Sequence, residues 1–216
     1  MEETSNFKLT EMDIEIFKKD CKAFEIKPDI DVNQKSYYIS YIEFLKHFKR
    51  IKEFKKHDVI VGIHLIYGWM PTICHLKSED FAEAATILNK VKKDKELLDN
   101  SELNILKDVF NNSIVGTSKL LHFISPENYP IWDSNVCRYL NIPAHKANNI
   151  DVYLEYIKAC RNIIEQCKDE ITRVKEAMNE FEPYKVQNEI SDMRAVELVM
   201  FTNGQGTLKS SPQLEH

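Results

Sequence analysis

A chain of 216 residues is long enough to bury one sizeable core. Hydrophobic residues at 43% and charged residues at 29% argue against a disordered chain, and the best apolar run, residues 59–70, is broken by His64 and Gly68 before it reaches the length of a membrane span. A net charge of −5 argues against binding nucleic acid through bulk charge alone.

In chain order, apolar residues recur at three- and four-residue spacing almost everywhere, which predicts an all-α protein. A first helix is expected over residues 11–24, entered at Thr10 with Asp13 three positions on and left before Pro28. A second, over 36–54, presents Tyr38, Tyr41, Ile42, Leu45, Phe48 and Ile51 inward. Its end opens the basic run KHFKRIKEFKKH, where Lys46, Lys49 and Arg50 begin a set of six Lys or Arg against one Glu. That run reads either as a solvated helix face or as a strip for phosphates, with a second cluster at Lys90, Lys92, Lys93 and Lys95.

Asp58 is expected to cap a third helix, over 59–69, that is apolar on nearly all sides and therefore central, with a strand as the alternative because Val59, Ile60, Val61 and Ile63 are β-branched. Ser78 caps a helix to about Val91, and Ser101 a shorter one. After Pro143, helices fit 151–167, 168–181 and 191–201, with Gly204 ending the last. Ser191-Asp192-Met193-Arg194 reads only as a capped helix start.

The informative tract is NSIVGTSKLLHFISPENYPIWDSNVCRYL, residues 112–140. It predicts a short helix, a tight turn around Ile114-Val115-Gly116, and a helix starting at Thr117 or Ser118 whose free N–H groups would attract a phosphate. Lys119 in its first turn would oppose the helix dipole. Residues 125–130, SPENYP, are expected to form a turn, with Ser125-Pro126 leaving the helix and Pro130 forcing an extended Tyr129, and Asp133, after the apolar Ile131 and Trp132, stands as the N-cap of another helix.

A hairpin between two helices, a Lys just after it, and Pro-Ile-Trp-Asp-Ser-Asn-Val opening a further helix resembles the helix-hairpin-helix DNA glycosylase superfamily over about residues 102–140. The chain departs from that family's two-glycine hairpin, with Ile114 at the first place. The resemblance implies a DNA repair enzyme that flips a damaged base and cleaves its N-glycosidic bond. Asp133 would stabilise the charge that develops on the sugar, and Lys119 would attack C1′. Gly116, Thr117 and Ser118 would hold phosphate, while Trp69, Tyr129 or Trp132 would sandwich the base.

Each of these residues also has a structural reading: Asp133 as a plain cap, Lys119 as a surface or phosphate-contacting lysine, the tryptophans and His122 as core. A Ser118–His122–Asp133 triad can be drawn, although Ser118 lies in no nucleophile-elbow sequence. The alternative function is a non-catalytic helical module binding DNA or a protein partner. Five cysteines, odd in number and without a Cys-x-x-Cys pair, predict buried thiols, no metal and no cofactor. The acidic N-terminus without an apolar signal core predicts a cytoplasmic protein. The organisation expected is one all-helical domain over residues 1–202 and a disordered polar tail over 203–216, whose Leu214-Glu215-His216 reads as a tag remnant; Pro183 is the only candidate for an internal boundary.

Overall fold

Residues at helical spacing do form helices throughout: a computed structural model describes residues 14–25, 32–70, 72–76, 79–94, 96–180 and 190–206, and no strand occurs among them. The helices are α1 (Ile14–Ala23), α2 (Val32–Arg50), α3 (Lys56–Trp69), α4 (Phe81–Lys93) and α5 (Asn100–Val109), followed by α6 (Ile114–Ile124), α7 (Ser134–Tyr139), α8 (Ile150–Gln166), α9 (Lys168–Glu180) and α10 (Asp192–Gly206). A 3-10 turn, Ala144–Lys146, links α7 to α8. The β-branched run in α3 is helical, because its Val59, Ile63 and Ile66 have a buried face to fill. The expected roles of Thr10, Asp13, Pro28, Ser78, Lys95, Pro183 and residues 207–216 lie outside the described residues.

Polar side chains start the helices, in two cases two or three positions away from the expected cap. Asp58 is the third residue of α3, where its Oδ2 accepts from the Lys55 amide at 2.8 Å. Asp99, not Ser101, caps α5: its Oδ1 accepts from the Glu102 amide at 2.9 Å while Glu102 Oε2 accepts from the Asp99 amide at 3.0 Å.

The central element is α6 rather than α3. Every residue from Gly116 to Phe123 is buried, whereas α3 leaves Val61 48% exposed and turns His64 and Gly68 outward. Helices α2, α3, α4 and α5 pack around α6, and α10 packs on α7, α8, α9 and α1. The buried side chains form one continuous cluster.

Gly204 does not end the last helix. It lies inside α10, buried, where an added Cβ would overlap the backbone carbonyl of Asn135 in α7. The glycine is what lets α10 lie directly on α7, and residues 203–206 therefore belong to the helix rather than to a tail. Among the described residues no helix is long and apolar enough to cross a membrane.

Candidate functional site

The turn between α5 and α6 is built by asparagine, not glycine. Asn111 and Asn112 take φ values of 56° and 59°, a left-handed conformation that asparagine tolerates better than other side chains. Asn148 clamps the turn, donating from Nδ2 to the Asn112 carbonyl and accepting at Oδ1 from the Ile114 amide, both at 2.9 Å. Ser113 is the N-cap of α6, accepting from the Gly116 amide at 3.1 Å. The helix thus begins three or four residues earlier than the glycine suggests.

That shift corrects the expected phosphate-holding turn. Gly116, Thr117 and Ser118 are inside α6 and buried. Gly116 has a negative φ and is needed for packing, since a Cβ there would lie 2.8 Å from Phe110 Cδ1. The Thr117 hydroxyl donates to the Ser113 carbonyl at 2.9 Å, and that of Ser118 to the Val115 carbonyl at 2.9 Å. None of the three presents a donor to a solvent-side anion.

Lys119 consequently lies in the second turn of α6, clear of the positive end of the helix dipole. What perturbs it is burial. Its residue is only 8% exposed, its ammonium has no hydrogen bond or ion pair among the described residues, and Nζ stands 5.4 Å from the centre of the Trp69 ring. Desolvation pulls its pKa below the ordinary lysine value; the carboxylates of Asp133 and Glu197 oppose that pull and the Arg194 guanidinium adds to it.

Asp133 is delivered by a buried extended segment whose backbone is held by side chains. The carbonyls of Tyr129, Pro130 and Ile131 accept from His122 Nδ1 at 2.7 Å, Tyr153 Oη at 3.1 Å and Tyr156 Oη at 3.2 Å, and the Trp132 amide donates to Ser118 Oγ at 3.0 Å. A buried strand-like segment without a sheet needs such partners, and here each residue from Tyr129 to Trp132 has one. Asp133 then caps α7 as expected, with Oδ1 accepting from the Asn135 and Val136 amides at 2.8 and 3.0 Å. Its Oδ2 has no hydrogen bond among the described residues.

The aromatics expected to hold a base divide into two groups. Tyr129 and Trp132 are core: the Tyr129 hydroxyl accepts from the Leu98 amide at 3.0 Å, and Trp132 donates from Nε1 to the Ala147 carbonyl at 2.7 Å. A sandwiching role for either is corrected by this burial. Trp69 alone reaches an opening, a groove of about 600 Å³ lined by Ser36, Tyr37, Ser40, Phe44, His64, Leu65, Gly68 and Trp69. Within it Tyr37 stacks on Trp69 with ring centres 4.2 Å apart. Lys119 and Asp133 do not line this groove; the indole, which lines it and also faces Lys119, connects the two.

The pair that sequence reasoning missed is Arg194 and Glu197, both fully buried on α10 and ion-paired to each other. The Arg194 guanidinium lies 4.4 Å from the Tyr41 ring centre and 5.8 Å from that of Tyr37. Glu197 Oε1 has no hydrogen-bond partner. Burial lifts the Glu197 carboxyl from 4.5 to about 7, against the pull of Arg194 and Lys119. A signal was legible: two opposite charges three residues apart in a helix that is otherwise apolar from Met193 to Met200.

His122 has the structural role. Burial lowers its pKa to about 3, so it is neutral, donating from Nδ1 to the Tyr129 carbonyl and accepting at Nε2 from the Tyr41 hydroxyl at 2.8 Å. With Ser118 bonded to Val115 and Trp132, no Ser–His–Asp relay exists. The signs of the two titrations oppose each other. His122, lowered from 6.5 to about 3, contributes stability that is lost as pH falls through that window; Glu197, raised from 4.5 to about 7, contributes stability that is lost as pH rises through its own. Between pH 4.5 and 6.5 the slopes cancel, each at most about 1.4 kcal/mol per pH unit. Glu197→Gln removes one of them, so urea midpoints of that variant should fall from pH 6.5 to 4.5 relative to wild type; parallel curves would contradict the assignment.

Lys46, Lys49 and Arg50 lie apart from this cluster, at the C-terminal end of α2. Lys46 pairs with Glu43 at 2.7 Å, while Lys92 donates to the carbonyls of Phe48 and Lys49 at 3.0 and 3.2 Å. From Tyr37, beside the cluster, to Lys49 is twelve residues of helix, roughly 18 Å. Among the described residues, no group of three or more His, Cys, Asp or Glu is arranged to hold a metal.

Compared with known proteins, the chain matches no family model, no curated protein and no solved structure.

Proposed function

We propose that the chain is a DNA-lesion glycosylase with lyase activity, Lys119 being its nucleophile and Asp133 its electrostatic partner. The observation that carries this reading is the buried Lys119 ammonium, without an ion-pair partner among the described residues and within the field of the Asp133 carboxylate. An amine held in that way is displaced toward its neutral form, which is the form that attacks carbon. A lysine whose only task is to bind phosphate gains nothing from having its side chain buried.

In this reading a flipped nucleotide brings its sugar to Lys119 and Asp133. Its base enters the groove at Trp69 and Tyr37, which stacking favours by roughly 1–3 kcal/mol. Asp133, with Oδ1 committed to the α7 amides, offers Oδ2 to the positive charge that builds on the sugar as the N-glycosidic bond breaks. Lys119 attacks C1′ and forms a Schiff base. The strip at Lys46, Lys49 and Arg50 follows the phosphate backbone some 18 Å away, about five phosphates at 3.4 Å each.

Duplex oligonucleotides carrying an oxidised purine or an abasic site test the reading. Wild-type protein should cut them, Asp133→Asn should lower the rate about 10²- to 10⁴-fold, and Lys119→Met should abolish strand scission. Equal rates for wild type and Asp133→Asn, or no scission across a lesion panel, would remove the enzymatic reading and leave DNA binding without turnover.

A further inference from the structure

Glycine inside a helix weakens it, so each such glycine calls for a reason. Gly62, Gly116 and Gly204 have one: a Cβ at any of them would come within 3.2 Å of another part of the fold. Gly68 has no reason of that kind, since a Cβ there meets nothing within 4 Å. What its missing side chain leaves open is the groove between α2 and α3. Along that groove Ser36, Ser40 and Phe44 follow one another at four-residue spacing on α2, and His64 and Gly68 do so on α3. Beside Gly68, Tyr37 and Trp69 form a closed pair. Their rings are 4.2 Å apart and only 11° from parallel, already at stacking distance, and Trp69 Nε1 donates to the Tyr37 carbonyl at 3.3 Å. No third ring fits between them, so a flat ligand rests against the pair, over Gly68.

One polar group of the groove has a fixed role. His64 Nδ1 lies 2.9 Å from the Ile60 carbonyl, which can only accept, so Nδ1 carries the proton and the neutral ring presents Nε2 as an acceptor. No described residue satisfies that nitrogen. His64 stands four residues before Gly68, roughly 6 Å along the helix axis, and helical side chains lean further toward the N-terminus. A single ring set over Gly68 stops short of the imidazole, whereas a fused pair of rings reaches it.

We propose that Gly68 and His64 are the specificity-determining residues of this groove and that they select a purine base with an N–H edge. Gly68 gives the fused rings room against the aromatic pair, and His64 Nε2 accepts from the edge. The role rests on the groove being the place of the flipped base, as proposed above.

Free deoxynucleosides test the selection without Lys119, Asp133 or strand scission. Of the two tryptophans Trp132 is fully buried, so quenching of indole emission by a solute reports Trp69. Deoxyguanosine has both the fused rings and the N–H edge, the deoxyriboside of unsubstituted purine lacks the N–H, and thymidine has an N–H on a single ring. Deoxyguanosine should bind about 3- to 10-fold more tightly than purine deoxyriboside, as one net hydrogen bond supplies, and should exceed thymidine by at least as much. His64→Phe should abolish the first preference, and His64→Gln, which keeps an acceptor, should restore most of it. Gly68→Leu should abolish the second. Both positions are exposed, so these variants should fold. Equal affinities for the three nucleosides, a wild-type preference in His64→Phe, or no quenching at all would overturn the inference. Lesion duplexes separate it from the reading it rests on: scission without nucleoside selection overturns the inference and leaves the glycosylase, whereas selective quenching without scission upholds the selection and removes the catalysis.

Discussion

Gly204→Ala is expected to cost about 3 kcal/mol or more, a large fraction of the stability of an ordinary domain. Two effects oppose each other at this position. Alanine in a helix interior gains about 1 kcal/mol over glycine. Against that, the new Cβ would overlap the Asn135 carbonyl, a backbone group that cannot rotate away, so α10 must lift off α7. Gly68→Ala is the matched control: a Cβ there meets nothing within 4 Å, and the substitution should stabilise by about 0.5–1 kcal/mol. Denaturant midpoints for the two variants should therefore move in opposite directions, and a neutral Gly204→Ala would show that α10 does not rest on α7 as described.

Arg194→Met should be at least as damaging, by about 3–5 kcal/mol, because it removes the ion-pair partner of a carboxylate that has no exposure to solvent. The loss should grow as pH rises, since Glu197 without its arginine can escape the penalty only by holding a proton. Arg194→Met combined with Glu197→Leu removes both charges and should recover most of the stability. If urea unfolding shows the double variant no better than the single one, the guanidinium contributes through its contacts with Tyr37 and Tyr41 rather than by compensating the carboxylate.

Much of this fold could be read from residues alone, and the failures share a cause. Helical periodicity identified the elements because each helix has an inward stripe, and Asp133 was recognisable as a cap because an aspartate directly before a helical run satisfies amide groups locally. Glycine misled twice. At 116 and 204 it serves close packing across the fold, against Phe110 and Asn135, whereas sequence reasoning assigned it the turn and the helix end that glycine makes locally. The turn fell instead to Asn111 and Asn112. Tyr129 and Trp132 were offered to a base by the glycosylase resemblance alone; the side chains that bury this segment, Tyr153 and Tyr156, come from α8, some 25 residues downstream.

For Lys119 the composition of its neighbourhood was visible, an ammonium among Leu120, Leu121 and Phe123, but not its destination. Whether such a lysine snorkels to water or stays buried depends on what α3 and α10 place over it. Trp69, Arg194 and Glu197 supply that answer, and they lie 50 and more residues away in the chain.

The most direct measurement is where a covalent adduct forms. Incubating wild-type protein with abasic-site duplex and sodium borohydride, followed by proteolysis and mass spectrometry, should place the sugar remnant on Lys119 and leave Lys46 and Lys49 unmodified. An adduct spread over surface lysines, or none while the DNA remains bound, would contradict the assignment of Lys119 as a nucleophile.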